Sequence, residues 1–183
     1  PATTSMRYSI GSVSKQFTAT AVLLLAEDGK LALDDRVGKW FPELTRANDI
    51  SIRQLLSMTA GYQDYWPQDY VFTDTQRATT AQALMQRWAG KALDFDPGSK
   101  WQYSNTNYVI AAAIVERVAG MPLMAFMRQR IFEPLTLTTV ADIDAGPLTR
   151  EDAAPYLRNA IGPLRLAPKE GPGWLFGAGQ LAM

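Results

Sequence analysis

The chain has 183 residues, 47% of them hydrophobic, and balances 18 basic against 18 acidic side chains. That is enough for one hydrophobic core, and the zero net charge without a basic run argues against nucleic acid as a partner. With no histidine and no cysteine, a Ser-His-Asp triad, a cysteine nucleophile and the usual zinc ligand sets cannot be assembled within it, which leaves lysine or tyrosine as the base of any nucleophilic chemistry.

In chain order, the first predicted helix covers 13–27, and its run 17–26 is apolar on nearly every side, the pattern of a buried helix. Ser12 opens this stretch. Lys15 stands three residues later, so a helix would put hydroxyl and amine on one face. Burial disfavours the charged form of a lysine, which would let Lys15 take the proton of Ser12. Gly11 ahead of them leaves room for close backbone approach, and the free N–H groups of a first helical turn favour an oxyanion. The plainer alternative makes Ser12 a helix N-cap and Lys15 a snorkelling surface residue.

Further helices are predicted at 52–58, 80–89, 108–119 and 123–131, with Gly29, Gly61, Gly90 and Gly120 as C-caps after the first four of the set. Loops are expected at 43–51 and 63–79. The second carries Tyr65, Trp66, Tyr70 and Phe72, rings that either line a cleft or cover the helical core. Before the fourth helix stands Tyr103-Ser104-Asn105, a phenol and an amide at close spacing. Alternatively Tyr103 is a packed turn residue after Pro97-Gly98, and Asn105 caps the following helix. Residues 142–173 read as loop, with five prolines, and 174–181 as the one convincing strand. The acidic pairs Asp34-Asp35, Asp94 with Asp96 and Asp142 with Asp144 fall in loops without the ligand count of a calcium site and read as solvated turns. No metal and no cofactor is expected. The apolar run 21–26 is far too short to span a membrane.

The text around these motifs resembles the serine β-lactamase and penicillin-binding superfamily, especially class C β-lactamases and family VIII esterases. The stretch Tyr8-Ser9-Ile10-Gly11-Ser12-Val13-Ser14-Lys15 is similar to the family's nucleophile helix. Leu31-Ala32-Leu33-Asp34-Asp35-Arg36-Val37 is similar to the segment that follows. Gln54-Leu55-Leu56-Ser57-Met58-Thr59-Ala60-Gly61 resembles a Leu-Leu-Ser-His-Thr-Ser-Gly signature, with Met58 in place of its histidine and Ala60 in place of its serine. The approach from Phe95 to Asn105 resembles the second motif, in its class C form Tyr-x-Asn.

The resemblance implies an α+β fold of the β-lactamase/transpeptidase type, a helical subdomain with an antiparallel sheet flanked by helices. It also implies a covalent acyl-enzyme on Ser12, with Lys15 and Tyr103 sharing the proton traffic and Asn105 holding Lys15 and the substrate amide. A small-molecule acyl substrate follows: a β-lactam, a carboxylic ester or a D-amino-acid peptide. The family's third motif, Lys-Thr-Gly or His-x-Gly, does not occur in these residues. The expectation is therefore a single incomplete domain lacking most of its sheet, with the nucleophile helix in 1–40, a helical region bearing the second motif in 41–140, and a loop-rich region leading into a strand in 141–183. The remaining strands of a parent protein are the expected partner, and relatives of this kind point to a periplasmic or secreted location.

Overall fold

Gly11–Val13 form a single 3-10 turn that runs directly into the first helix, α1 (Ser14–Glu27), in the computed structural model, which describes residues 2–66, 73–158 and 161–183. The buried positions of α1 are Ser14, Lys15, Thr18, Ala21, Val22 and Leu25. They recur every three or four residues and so make one stripe. The helix is thus not buried all round, as its composition suggests: Leu23 is 49% exposed on the opposite face.

Helix α2 (Ile52–Leu56) starts at a capping box, in which Ser51 Oγ accepts from Gln54 N at 3.2 Å and Gln54 Oε1 accepts from Ser51 N at 2.9 Å. These reciprocal bonds satisfy two otherwise orphaned donors. The helix ends two residues before the predicted limit. Met58 takes the left-handed conformation there (φ 61°), a role the sequence reading gave to Gly61.

Helix α3 (Ala81–Leu84) is capped by Thr80 and continues as a π turn, Met85–Ala89. Helix α5 (Leu123–Met127) likewise runs on into a π turn, Arg128–Phe132.

Between them lies α4 (Asn105–Ala119), the spine of the structure. All ten residues from Thr106 to Val115 are buried, and α4 packs against α1, α2, α3 and α5. Fully burying Ile110 and Ile114 stabilises the fold by about 1.5–3 kcal/mol each. Gly120 closes α4 in the left-handed conformation (φ 68°), as predicted. The helix begins three residues earlier than the composition indicates, because Ser104 is extended (φ −149°) and Asn105 is already helical.

Strand content is small. β1 (Ala141–Asp142) pairs antiparallel with β4 (Leu181–Ala182), and β2 (Tyr156–Leu157) pairs with β3 (Arg165–Leu166). The segment before the first turn also joins β4: Tyr8 N donates to Met183 O and Ile10 N to Leu181 O. The 3-10 turn carrying Ser12 is thereby tied to the edge of this sheet.

The predicted strand at 174–181 is corrected to a pair of turns with only Leu181–Ala182 extended. Ala178 N and Gly179 N both donate to Leu175 O, and Gly177 N donates to Gln180 Oε1. The left-handed conformation of Gly177 (φ +67°) breaks an extended run there, and the close approach requires glycine, since a Cβ would stand 2.4 Å from Ala112 Cβ and 2.8 Å from Tyr108 O. No single helix among the described residues is long and apolar enough to cross a membrane.

Candidate active site

The polar end of the buried stripe on α1 faces the turns at 177–181. Thr18 Oγ1 donates to Gly177 O at 2.7 Å, Lys15 Nζ to Ala178 O at 2.7 Å, and Leu181 N to Ser14 Oγ at 3.1 Å. These bonds hold Lys15 in place, and its surroundings leave it only 6% exposed, so it is no snorkelling surface residue. Ser12, by contrast, is exposed and lies inside the 3-10 turn whose N-cap is Ile10, so it is not the cap of the helix.

Around Ser12 the structure brings together all four residues singled out by the motifs. Ser12 Oγ is 2.6 Å from Tyr103 Oη and accepts from Lys15 Nζ at 3.1 Å. Lys15 Nζ also donates to Asn105 Oδ1 at 2.7 Å, while the Tyr103 hydroxyl lies 3.4 Å from that same oxygen. The ammonium stands 5.0 Å from the centre of the Tyr103 ring and 5.7 Å from that of Tyr108. Asn105 is the first residue of α4, not its cap, and its side chain is turned toward Lys15.

This geometry distributes the protons of Lys15 in a particular way. Two short bonds go to fixed acceptors, Asn105 Oδ1 and Ala178 O, and the longer one goes to Ser12. A neutral amine has two N–H groups and one lone pair, so it can keep both fixed bonds and turn its lone pair to the Ser12 hydroxyl. Burial lowers the pKa of Lys15 from 10.5 to about 8, against the opposing pull of the Asp64 charge.

Asp64 is a residue the sequence reading did not single out. Its Oδ1 accepts from Asn105 N at 2.9 Å and from Asn105 Nδ2 at 3.2 Å, and Oδ2 lies 3.2 Å from the same Nδ2. Because Lys15 donates on the side of Asn105 and a carboxylate only accepts, the Asn105 amide has one workable orientation, with its oxygen toward Lys15 and its nitrogen toward Asp64. The sole local signal was an acid next to the aromatic pair Tyr65-Trp66.

A cleft of about 350 Å³ opens over Ser12, bordered by Asp64, Tyr65, Trp66, Tyr103 and Leu175. Two rings of the predicted aromatic loop thus line it; Tyr70 and Phe72 lie outside the described residues. The two phenols differ in kind. Tyr65 is buried, donates to Trp174 O, and burial pushes its pKa up, so it stays a neutral donor. Tyr103 is 39% exposed and is the phenol in contact with Ser12.

At Met58, the position where the resemblance expects histidine, the thioether takes over as acceptor. Ser104 N lies 3.4 Å from Met58 Sδ and Asn107 Nδ2 lies 3.7 Å away. Sulfur is a weak acceptor, and Ser104 Oγ and Asn107 Oδ1 are left buried without a protein partner among the described residues.

The acidic pairs act as local braces. Asp34 pairs with Arg53, Asp35 with Lys39, and Asp96 with Arg46, while Asp94 accepts from Gln102. Asp142 accepts from Asp144 N and Gln180 Nε2, and Asp144 from Leu175 N. Among the described residues no group of acids has the arrangement of a metal site.

Comparison with known proteins agrees with this picture. A family model described as Beta-lactamase matches residues 1–183. Penicillin-binding protein 4* of Bacillus subtilis is 34% identical over 136 residues, covering 73% of this chain and 30% of that protein. Esterase EstB of Burkholderia gladioli is 32% identical over 175 residues, 87% of this chain and 44% of the esterase. The solved D-stereospecific amidohydrolase from a Streptomyces species superimposes with a TM-score of 0.85 at 31% identity, covering 97% of this chain and 57% of that one. The chain thus spans less than half the length of these two curated relatives, and its mixed helical and antiparallel fold is of the β-lactamase/transpeptidase type. On the family match along its whole length and the likeness to these relatives, the chain belongs to the Beta-lactamase family, whose members include hydrolases.

Proposed function

We propose that the protein is a serine acyl hydrolase in which Ser12 forms a covalent ester with its substrate. The observation that carries this reading is the position of Ser12 Oγ, 2.6 Å from Tyr103 Oη and 3.1 Å from Lys15 Nζ at the floor of an open cleft. In acylation, the Ser12 proton passes to neutral Lys15 as the Oγ–C bond forms, the collapsing intermediate expels the leaving nitrogen or oxygen with the proton of the Tyr103 hydroxyl, and Lys15 returns its proton to the Tyr103 oxygen. Water then attacks the ester, giving its proton back through the same pair, and Ser12 is regenerated. The backbone N–H of Ser12 supplies one donor to the oxyanion, a kind of contact worth about 2.7–4 kcal/mol in other enzymes.

The substrate is a small acyl compound: a carboxylic ester, a D-amino-acid amide or peptide, or a β-lactam. The penicillin-binding and esterase relatives support this range, and the aromatic wall of Tyr65 and Trp66 gives it an apolar face. A periplasmic or secreted setting fits the same substrates.

Intact-protein mass spectrometry tests the reading. The protein is exposed to a fluorophosphonate and, separately, to a chromogenic β-lactam, with Ser12→Ala as control. The expected result is an adduct that requires Ser12. A β-lactam adduct that forms and clears marks turnover, and one that persists marks a penicillin sensor instead. No adduct from either reagent on folded protein would refute the nucleophile.

A further inference from the structure

Four groups form an unbroken chain of hydrogen bonds from the cleft wall to the nucleophile: Asp64 to Asn105 at 3.2 Å, Asn105 to Lys15 at 2.7 Å, and Lys15 to Ser12 at 3.1 Å. We propose that Asp64 is a positioning residue of the Ser12 centre, whose carboxylate locks the Asn105 amide with its oxygen on Lys15 and whose charge sets how readily Lys15 gives up its proton. The proposal rests on the acyl-transfer reading and extends it to a residue outside both motifs.

The geometry leaves Asp64 little other work. It is half-buried and takes three N–H donors, Asn105 N, Asn105 Nδ2 and Trp66 N, with no arginine or lysine in direct contact among the described residues. The nearest basic group along the chain of bonds is Lys15. The titratable groups facing Lys15 are Asp64 from the loop after α2, Tyr103 from the segment before α4, and Tyr108 on α4. Of these, Asp64 is the one that opposes the effect of burial.

A base works best when its pKa lies near the working pH, because it must both take the serine proton and return it. Burial alone would drive Lys15 lower and leave it a weak base. The charge of Asp64 acts against that fall, and the two effects together leave Lys15 at about 8.

The test replaces Asp64→Asn, which removes the charge and sets an N–H donor against Asn105 Nδ2. Two readouts are compared with the unaltered protein. The first is the titration midpoint of Lys15, followed by NMR of ¹³C-labelled lysine side chains and assigned with Lys15→Met. The second is the pH dependence of Ser12 acylation by the fluorophosphonate.

The midpoint is expected to fall by at least about half a unit. The rising limb of acylation should move down with it, and the plateau rate should drop about tenfold as Asn105 loses its hold. An unchanged midpoint and limb would overturn the proposal and leave Asp64 as a brace for its loop. If circular dichroism shows that Asp64→Asn does not fold, Asp64→Ser, which still accepts the Asn105 N–H, is measured in its place. Should Ser12 of the unaltered protein fail to react, the acyl-transfer reading falls, while the lysine titration still decides the role of Asp64.

Discussion

A buried lysine that titrates near pH 8 exacts a cost from the fold, and that cost is measurable. The perturbation is Lys15→Met, which keeps the apolar stem and removes the amine. Lowering the pKa from 10.5 to about 8 is a shift of about 2.5 units. At 1.36 kcal/mol per unit it corresponds to about 3 kcal/mol between folded and unfolded protein. The sign follows from proton binding. Between pH 8 and 10.5 the unfolded chain carries the proton and the folded one has released it, so stability rises with pH across this window.

Below pH 8 the penalty is present in full, and above 10.5 it is gone. The difference in unfolding free energy, Lys15 protein minus Lys15→Met, should therefore increase by about 3 kcal/mol from pH 7 to pH 10.5. Taking the difference matters for two reasons. Methionine leaves Asn105 Oδ1 and Ala178 O without a donor, a loss of about 1–3 kcal/mol for each acceptor that stays buried, and this loss is independent of pH to first order. In addition, burial pushes the pKa values of Tyr62 and Tyr65 up, so both proteins lose stability above pH 10 by the same amount. Urea denaturation followed by tryptophan fluorescence at four pH values supplies the numbers. A difference that is flat within about 0.5 kcal/mol would refute the picture of a desolvated amine.

Two further substitutions probe the rest of the site. Tyr103→Phe deletes the hydroxyl 2.6 Å from Ser12 Oγ but leaves an exposed ring in place, so the acylation rate should fall about 10²–10⁴-fold while unfolding free energy changes by less than about 0.5 kcal/mol. Stopped-flow acylation and urea titration of the same preparation check both halves. Gly177→Ala forces a Cβ into contact with Ala112 and the Tyr108 carbonyl in a left-handed conformation, and should cost at least about 2 kcal/mol, lowering Tm by about 4 °C or more.

Much of the site was legible because its donors are side chains at short, regular spacing. Ser12 and Lys15 share a helix face, and Tyr103 and Asn105 flank one extended residue at the start of another, so each pair is defined locally. The helices themselves followed from apolar periodicity to within a few residues. What escaped was long-range or carried by the backbone. The carbonyl of Ala178 reaches Lys15 from 163 residues away, and a carbonyl has no residue-type signature. Asp64 meets Asn105 across 41 residues, with nothing in its own neighbourhood to set it apart from the acids that brace surface turns. The strand at 174–181 was misread because its apolar residues pack as turns against α4, where Ala112 leaves just enough space for Gly177. At α2, Met58 took the left-handed position that composition assigns to glycine, and its sulfur serves as the acceptor for Ser104 N.

The long reach between Lys15 and Ala178 also bears on when the surroundings of Lys15 come into being. A chain in which α1 has formed but the turns at 177–181 have not docked leaves Lys15 hydrated. In that state the amine is an ordinary solvated cation and the serine an ordinary alcohol. The surroundings that lower the pKa of Lys15 are thus a product of tertiary docking between α1 and the turns at 177–181, not of the helix alone.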